Sequence, residues 1–181
     1  MGNLHSVTKC FERLGQSLTP VRCSDDLANC DALILPGVGS FDPAMEQLRS
    51  TGLIPHLQEW GQADRPLLGI CLGLQLLFER SEEGESPGLG LFKGSVCRLP
   101  SGQGERIPHM GWGKLDHRHP CPLLPAGAEN PWVYFVHSFA AHPALEQDRA
   151  ADVGFGNGVA TAMVWHGRVG ACQFHPEKSG R

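Results

Sequence analysis

Apolar residues at Leu4, Val7, Phe11 and Leu14 recur at intervals of three and four, the spacing that places them on one helical face, and Gly15 follows as a C-terminal cap. The pattern then gives way to a short continuous apolar run, Ala32-Leu33-Ile34-Leu35, closed by Pro36-Gly37-Val38-Gly39. Such a run predicts a buried strand ending in a glycine-rich turn. Asp42-Pro43 supplies an expected N-cap and first-turn proline for a helix with Met45 and Leu48 on one side. Leu53, Ile54, Leu57 and Trp60 form a second helical patch up to Gly61. Another apolar run, Pro66-Leu67-Leu68-Gly69-Ile70, leads straight into Cys71-Leu72-Gly73 and a predicted helix from Leu74 to Glu79.

Strands alternating with helices predict an α/β domain with a mostly parallel sheet flanked by helices. After residue 80 glycine and proline multiply, and Ser86 to Pro131 is expected to hold loops and short antiparallel strands. Val133-Tyr134-Phe135-Val136 predicts another strand, and Gly158–Trp165 with Val169–Phe174 predicts a hairpin turning at His166-Gly167. The expected result is an added antiparallel section. A parallel α/β domain opens with a strand, whereas this sequence opens on a helix and stops at Gly180-Arg181. The N-terminal strand is therefore expected to be missing, from a single domain over 1–181 that is truncated at both ends.

At 181 residues, one domain is expected, and 41% hydrophobic residues suffice for its core. A net charge of -4 argues against a protein built to grip nucleic acid. No apolar run approaches the roughly 18 residues of a membrane span, and no signal-peptide pattern opens the chain, so a cytoplasmic location is expected. The seven cysteines are odd in number and form no C-x-x-C pair, which points to reduced thiols.

One of those thiols stands out. Gly69-Ile70-Cys71-Leu72-Gly73 is a G-x-C-x-G element between a strand and a helix, the layout of a nucleophile elbow with sulfur in place of the usual hydroxyl. A tight strand-to-helix turn strains the nucleophile's backbone, and flanking glycines let neighbouring backbone pass. The helix N-terminus favours a thiolate, and the Leu72 N–H is placed to stabilise an oxyanion. A buried cysteine in a plain turn is the competing reading, which the strand–turn–helix context weakens.

A thiol nucleophile needs a base, and the base an orienter. Among nine histidines, His175 is followed two residues later by Glu177, after a strand and beside Pro176. Residues two apart on a strand share a face, so Glu177 could hold the His175 ring for proton exchange with Cys71. The Gly37-Val38-Gly39 turn could present a further backbone N–H to the oxyanion. His109, Asp116, His117, His119 and Cys121 match no standard zinc spacing, and no metal or cofactor is expected.

Together these pieces resemble the class I (triad) glutamine amidotransferases. The resemblance rests on Leu35-Pro36-Gly37-Val38-Gly39, on Gly69 to Phe78, and on Gln173-Phe174-His175-Pro176-Glu177-Lys178-Ser179. Pro108-His109-Met110-Gly111-Trp112 and Tyr134-Phe135-Val136-His137-Ser138-Phe139 are similar to the branch that serves imidazole glycerol phosphate synthesis in histidine biosynthesis. The resemblance implies a flavodoxin-like fold and hydrolysis of glutamine to glutamate and ammonia by Cys71, His175 and Glu177. It implies an oxyanion hole from Val38 and Leu72, completed when the Gly37–Val38 peptide turns over. It assigns glutamine binding to Gln75, Glu83, His137, Ser138 and Phe139. It also assigns Asn3, Met110, Trp112 and Lys178 to a face that meets a (β/α)₈-barrel cyclase in a heterodimer. Gly113 stands where the family carries asparagine. An amidotransferase serving another synthase, and a catalytically silent regulatory subunit, are the alternatives. Pro108 to Trp112 and Lys178 oppose the first, and the intact Cys71, His175 and Glu177 oppose the second.

Overall fold

The computed structural model describes residues 4–102 and 106–179. Along the chain come α1 (Leu4–Arg13), β1 (Leu33–Gly37), α2 (Phe41–Ser50), α3 (Ile54–Gln62), β2 (Leu67–Cys71), α4 (Leu72–Leu76), β3 (Phe78–Ser81) and β4 (Phe92–Arg98). Then follow β5 (His109–His117), β6 (Trp132–His137), β7 (Phe139–Pro143), β8 (Arg149–Phe155), β9 (Gly158–His166) and β10 (Val169–Cys172).

The main sheet runs β1-β2-β10-β9-β8-β5-β6. Its first three strands are parallel and carry the helices, as the alternating apolar runs predict. From β10 onward every pairing is antiparallel, so the added section grows directly out of the parallel one. The hairpin at His166-Gly167 makes that join: β10 pairs antiparallel with β9 and parallel with β2. A smaller sheet, β3-β4-β7, mixes one parallel and one antiparallel pair.

Side-chain alternation through the parallel strands separates two apolar cores. Leu33, Leu35, Leu67, Val169 and Ala171 face the core made with α2, α3 and α4, which includes Phe41, Met45, Leu57 and Trp60. Ile34, Leu68, Ile70 and Cys172 face the other core, shared with Val7 of α1 and with Leu115, Phe135, Val153 and Met163 of the antiparallel section.

Two local expectations are corrected. The α2 N-cap is Ser40, and Asp42 lies inside the first turn. Its carboxylate instead accepts the backbone N–H groups of Glu85 (3.0 Å) and Ser86 (2.9 Å), and these bonds hold its pKa below the usual carboxylate value. The helix expected from Leu74 to Glu79 stops at Leu76, and β3 begins at Phe78. Loop 88–92 lies alongside this point, and its N–H groups bond the carbonyls of Leu76, Leu77 and Phe78 from outside the helix. Leu89 donates to Leu76 O (2.8 Å), Leu91 to Leu77 O (2.8 Å) and Gly90 to Phe78 O (3.1 Å).

Candidate active site

Three chain segments converge at the C-terminal ends of β1 and β2. Cys71 closes β2 and precedes α4 with φ 56° and ψ −110°, a left-handed conformation that side chains seldom adopt. The flanking glycines are required by contact. A Cβ on Gly73 would lie 1.8 Å from the Leu35 carbonyl oxygen, and one on Gly69 would lie 2.9 Å from Gly73 O. The elbow thus packs α4 directly against β1. Gly73→Ala should cost about 3 kcal/mol or more by overpacking against backbone, read as a lower urea midpoint.

The second segment is the end of β1. Gly37 is the register partner of Cys71, and a Cβ there would come within 2.9 Å of Leu72 Cβ. Val38 follows, 44% exposed, whereas Leu72, directly after Cys71, is buried. Glu83 has a role that spacing did not reveal: its carboxylate accepts the Phe41 N–H at 2.9 Å, tying the Val38-Gly39-Ser40 turn to the 82–86 loop.

The third segment comes from the far end of the chain. His175 is 2% exposed, and its Nδ1 lies 2.8 Å from Glu177 Oε1. The pair sits on a 3-10 turn rather than on a strand, so the turn, not strand alternation, brings the two side chains together. Its backbone N–H donates to Tyr134 O at 2.9 Å, and Ser179 Oγ accepts the Tyr134 N–H at 3.0 Å, fastening the turn to β6. The other side of the ring is within hydrogen-bonding reach of Cys71. Burial alone would lower the pKa of His175, but the hydrogen bonds and charges of Cys71 and Glu177 outweigh it and raise the ring to about 9. Cys172, fully buried behind the elbow, is the contrast: burial pushes its thiol well above the usual range.

Gln75 and His137 converge on one carbonyl. His137 Nδ1 lies 2.8 Å from Phe139 O, and Gln75 Nε2 donates to the same oxygen at 3.2 Å. A carbonyl only accepts, so Nδ1 of His137 carries a proton and its Nε2 accepts from His109 Nδ1 at 3.1 Å. Burial lowers the His137 pKa to about 4, which keeps the ring neutral in this role. Ser138 contributes its carbonyl to the Leu99 N–H, a structural bond.

On the outer face of β5 and β6, Met110 (62% exposed) and Trp112 (53%) alternate with inward-facing His109 and Gly113. Gly113 is explained by packing, since a Cβ would meet Val153 Cγ2 at 2.5 Å. Trp132, 59% exposed, lies on the adjoining strand and extends the patch, although its sequence context does not distinguish it. Lys178 is exposed on the turn fastened at Tyr134, the register partner of Trp112. Asn3 lies outside the described residues. Gln173 is fully buried beside Cys71, and its sequence signal is a polar residue inside the apolar run Val169–Phe174. Among the described residues, no three His, Cys, Asp or Glu side chains are grouped to hold a metal. Likewise, no helix there is long and apolar enough to cross a membrane.

The family model for Glutamine amidotransferase class-I matches residues 1–181. The chain belongs to the class-I glutamine amidotransferase family. Two relatives with the name imidazole glycerol phosphate synthase subunit HisH, from Synechococcus sp. strains CC9605 and CC9902, are 66% and 64% identical over 179 residues. Each alignment covers 99% of this chain and 84% of the relative. Among solved structures, a crystal structure of a glutamine amidotransferase superposes with a TM-score of 0.76 at 23% identity, covering 97% of this chain and 86% of that one. At that identity the likeness concerns the fold, and it supports the flavodoxin-like arrangement expected for this amidotransferase.

Proposed function

We propose that this amidotransferase is the glutamine-hydrolysing subunit of an imidazole glycerol phosphate synthase in histidine biosynthesis. It passes ammonia to a (β/α)₈-barrel cyclase with which it forms a heterodimer. The observation that carries the chemistry is Cys71, held at φ 56° within reach of a buried His175–Glu177 couple. The relatives' names carry the choice of synthase.

The Cys71 sulfur attacks the side-chain carboxamide carbon of glutamine, and the oxyanion is met by the Leu72 N–H and, once its peptide turns over, by the Val38 N–H. Protonated His175 gives its proton to the departing nitrogen, the C–N bond breaks, and ammonia leaves a thioester on Cys71. His175, now neutral, takes a proton from water, which attacks the thioester and releases glutamate. Glu177 keeps the His175 Nδ1 protonated throughout, leaving the other nitrogen for proton exchange. Ammonia in neutral water is mostly ammonium and no longer nucleophilic, so delivery requires docking over a protected passage. The apolar patch of Met110, Trp112 and Trp132, beside Lys178, is the surface offered for it.

A glutaminase assay with and without the barrel cyclase and its nucleotide ligand tests this reading. One gated oxyanion donor is worth roughly 10²–10³ in rate, so hydrolysis should rise by at least that factor when the complex forms. Trp112→Ala should weaken cyclase binding by about 2 kcal/mol in calorimetry and lose the stimulated rate at matched concentrations. Equal rates with and without cyclase would remove the assignment to this synthase.

A further inference from the structure

The Cys71 sulfur has a second neighbour besides His175. Gln173 Nε2 lies 3.9 Å from Cys71 Sγ, within the range of a hydrogen bond to sulfur, and the Gln173 side chain is fully buried. Its other end is held at 3.1 Å, where Gln75 Nε2 donates to Gln173 Oε1. That contact fixes which end of the Gln173 amide faces the sulfur. Phe139 O can only accept, so the Gln75 atom bonded to it is the nitrogen, with two hydrogens. The second of those hydrogens points to Gln173, whose atom there must be the oxygen. The Gln173 NH₂ group is therefore turned toward Cys71. The anchor beneath this chain is rigid as well, because Phe139 O also receives the proton of the buried His137 ring.

We propose that Gln173 is a positioning residue for the nucleophile: its amide, oriented by Gln75 and the Phe139 carbonyl, donates a hydrogen bond to the Cys71 sulfur and favours the thiolate. A donor aimed at the charged form stabilises that form over the thiol, which has one proton of its own and accepts weakly. The sulfur then sits between two donors, His175 on one side and Gln173 on the other. This also explains a polar side chain in the dry interior next to β10, where an apolar residue would pack without needing partners.

The proposal rests on Cys71 being the nucleophile, and the test separates the two ideas. Alkylation of the full chain by iodoacetamide is followed against pH, with mass spectrometry of the Cys71 peptide as readout. Gln173→Met keeps the length and apolar volume of the side chain but removes the donor. A charge-assisted hydrogen bond is worth enough to raise the pH midpoint of Cys71 alkylation by about one to two units. Gln75→Met, which leaves Gln173 in place but releases its oxygen, should raise it by less, and it serves if the first variant does not fold. A wild-type midpoint in a folded variant, even one with lower stability or turnover, overturns the proposal. A purely structural Gln173 would give that result. Persistent glutamine hydrolysis by Cys71→Ala would overturn the nucleophile assignment instead, whatever the midpoints.

Discussion

Cys71→Ala should abolish glutamine hydrolysis, by about 10⁴-fold or more, while leaving the fold and the outer β5–β6 face intact. The expectation is large because no neighbouring group can replace the sulfur. Cys172 is a neighbouring thiol, but it is fully buried, donates toward Phe174 O at 3.5 Å, and is held in its protonated form by burial and by the negative charges of Cys71 and Glu177. The substitution also has a stability side. Alanine, like cysteine, is strained at φ 56°, so removing the sulfur does not relieve the elbow, and the thermal midpoint should move little. Initial rates of glutamate release and calorimetric binding to the cyclase, measured on the same preparation, check both halves. Glutamine turnover within tenfold of wild type would remove Cys71 from the chemistry.

The sequence makes the parallel part of the fold readable for a physical reason. Buried parallel strands need short, largely continuous apolar runs, and Leu33–Leu35 and Leu67–Ile70, bounded by proline and glycine turn signals, have that form. The elbow is readable because its glycines answer to backbone contacts at 1.8 and 2.9 Å, which no other residue tolerates. The antiparallel section is less legible. β5 runs nine residues through Gly111 and Gly113, and at Gly113 tertiary packing on Val153 and Phe135 overrides weak strand propensity. The end of α4 is met by N–H groups arriving from residues 89–91, a contact that local pattern cannot carry. The same holds within the site. His175 and Glu177 are close in sequence and could be paired in advance. Glu83 with Phe41 and Gln173 with Gln75 are 42 and 98 residues apart, and only the fold joins them.

Glu177→Gln should lower kcat by about 10⁴-fold with a nearly unchanged fold, as expected when a triad carboxylate becomes an amide. Its cause is the tautomer. Glu177 can only accept, so it fixes a His175 proton on Nδ1 and supports the charged ring; an amide can present its NH₂ there, which leaves the ring neutral with its one proton on Nε2 and deprives the sulfur of its imidazolium partner. The pH dependence of stability supplies an independent check. Burial opposes the charged ring, but Cys71 and Glu177 together raise its pKa to about 9, above the free value of 6.5. A group whose pKa is raised on folding contributes stability that is fully present below the unfolded value and is lost as pH climbs through the folded one. The wild-type urea midpoint should therefore fall between pH 6.5 and about 9, and Glu177→Gln, which removes one of the two groups raising the ring, should flatten that fall. Parallel wild-type and variant slopes across this window would show that the carboxylate does not hold the charge of the ring. The loss of turnover would then have to come from position alone.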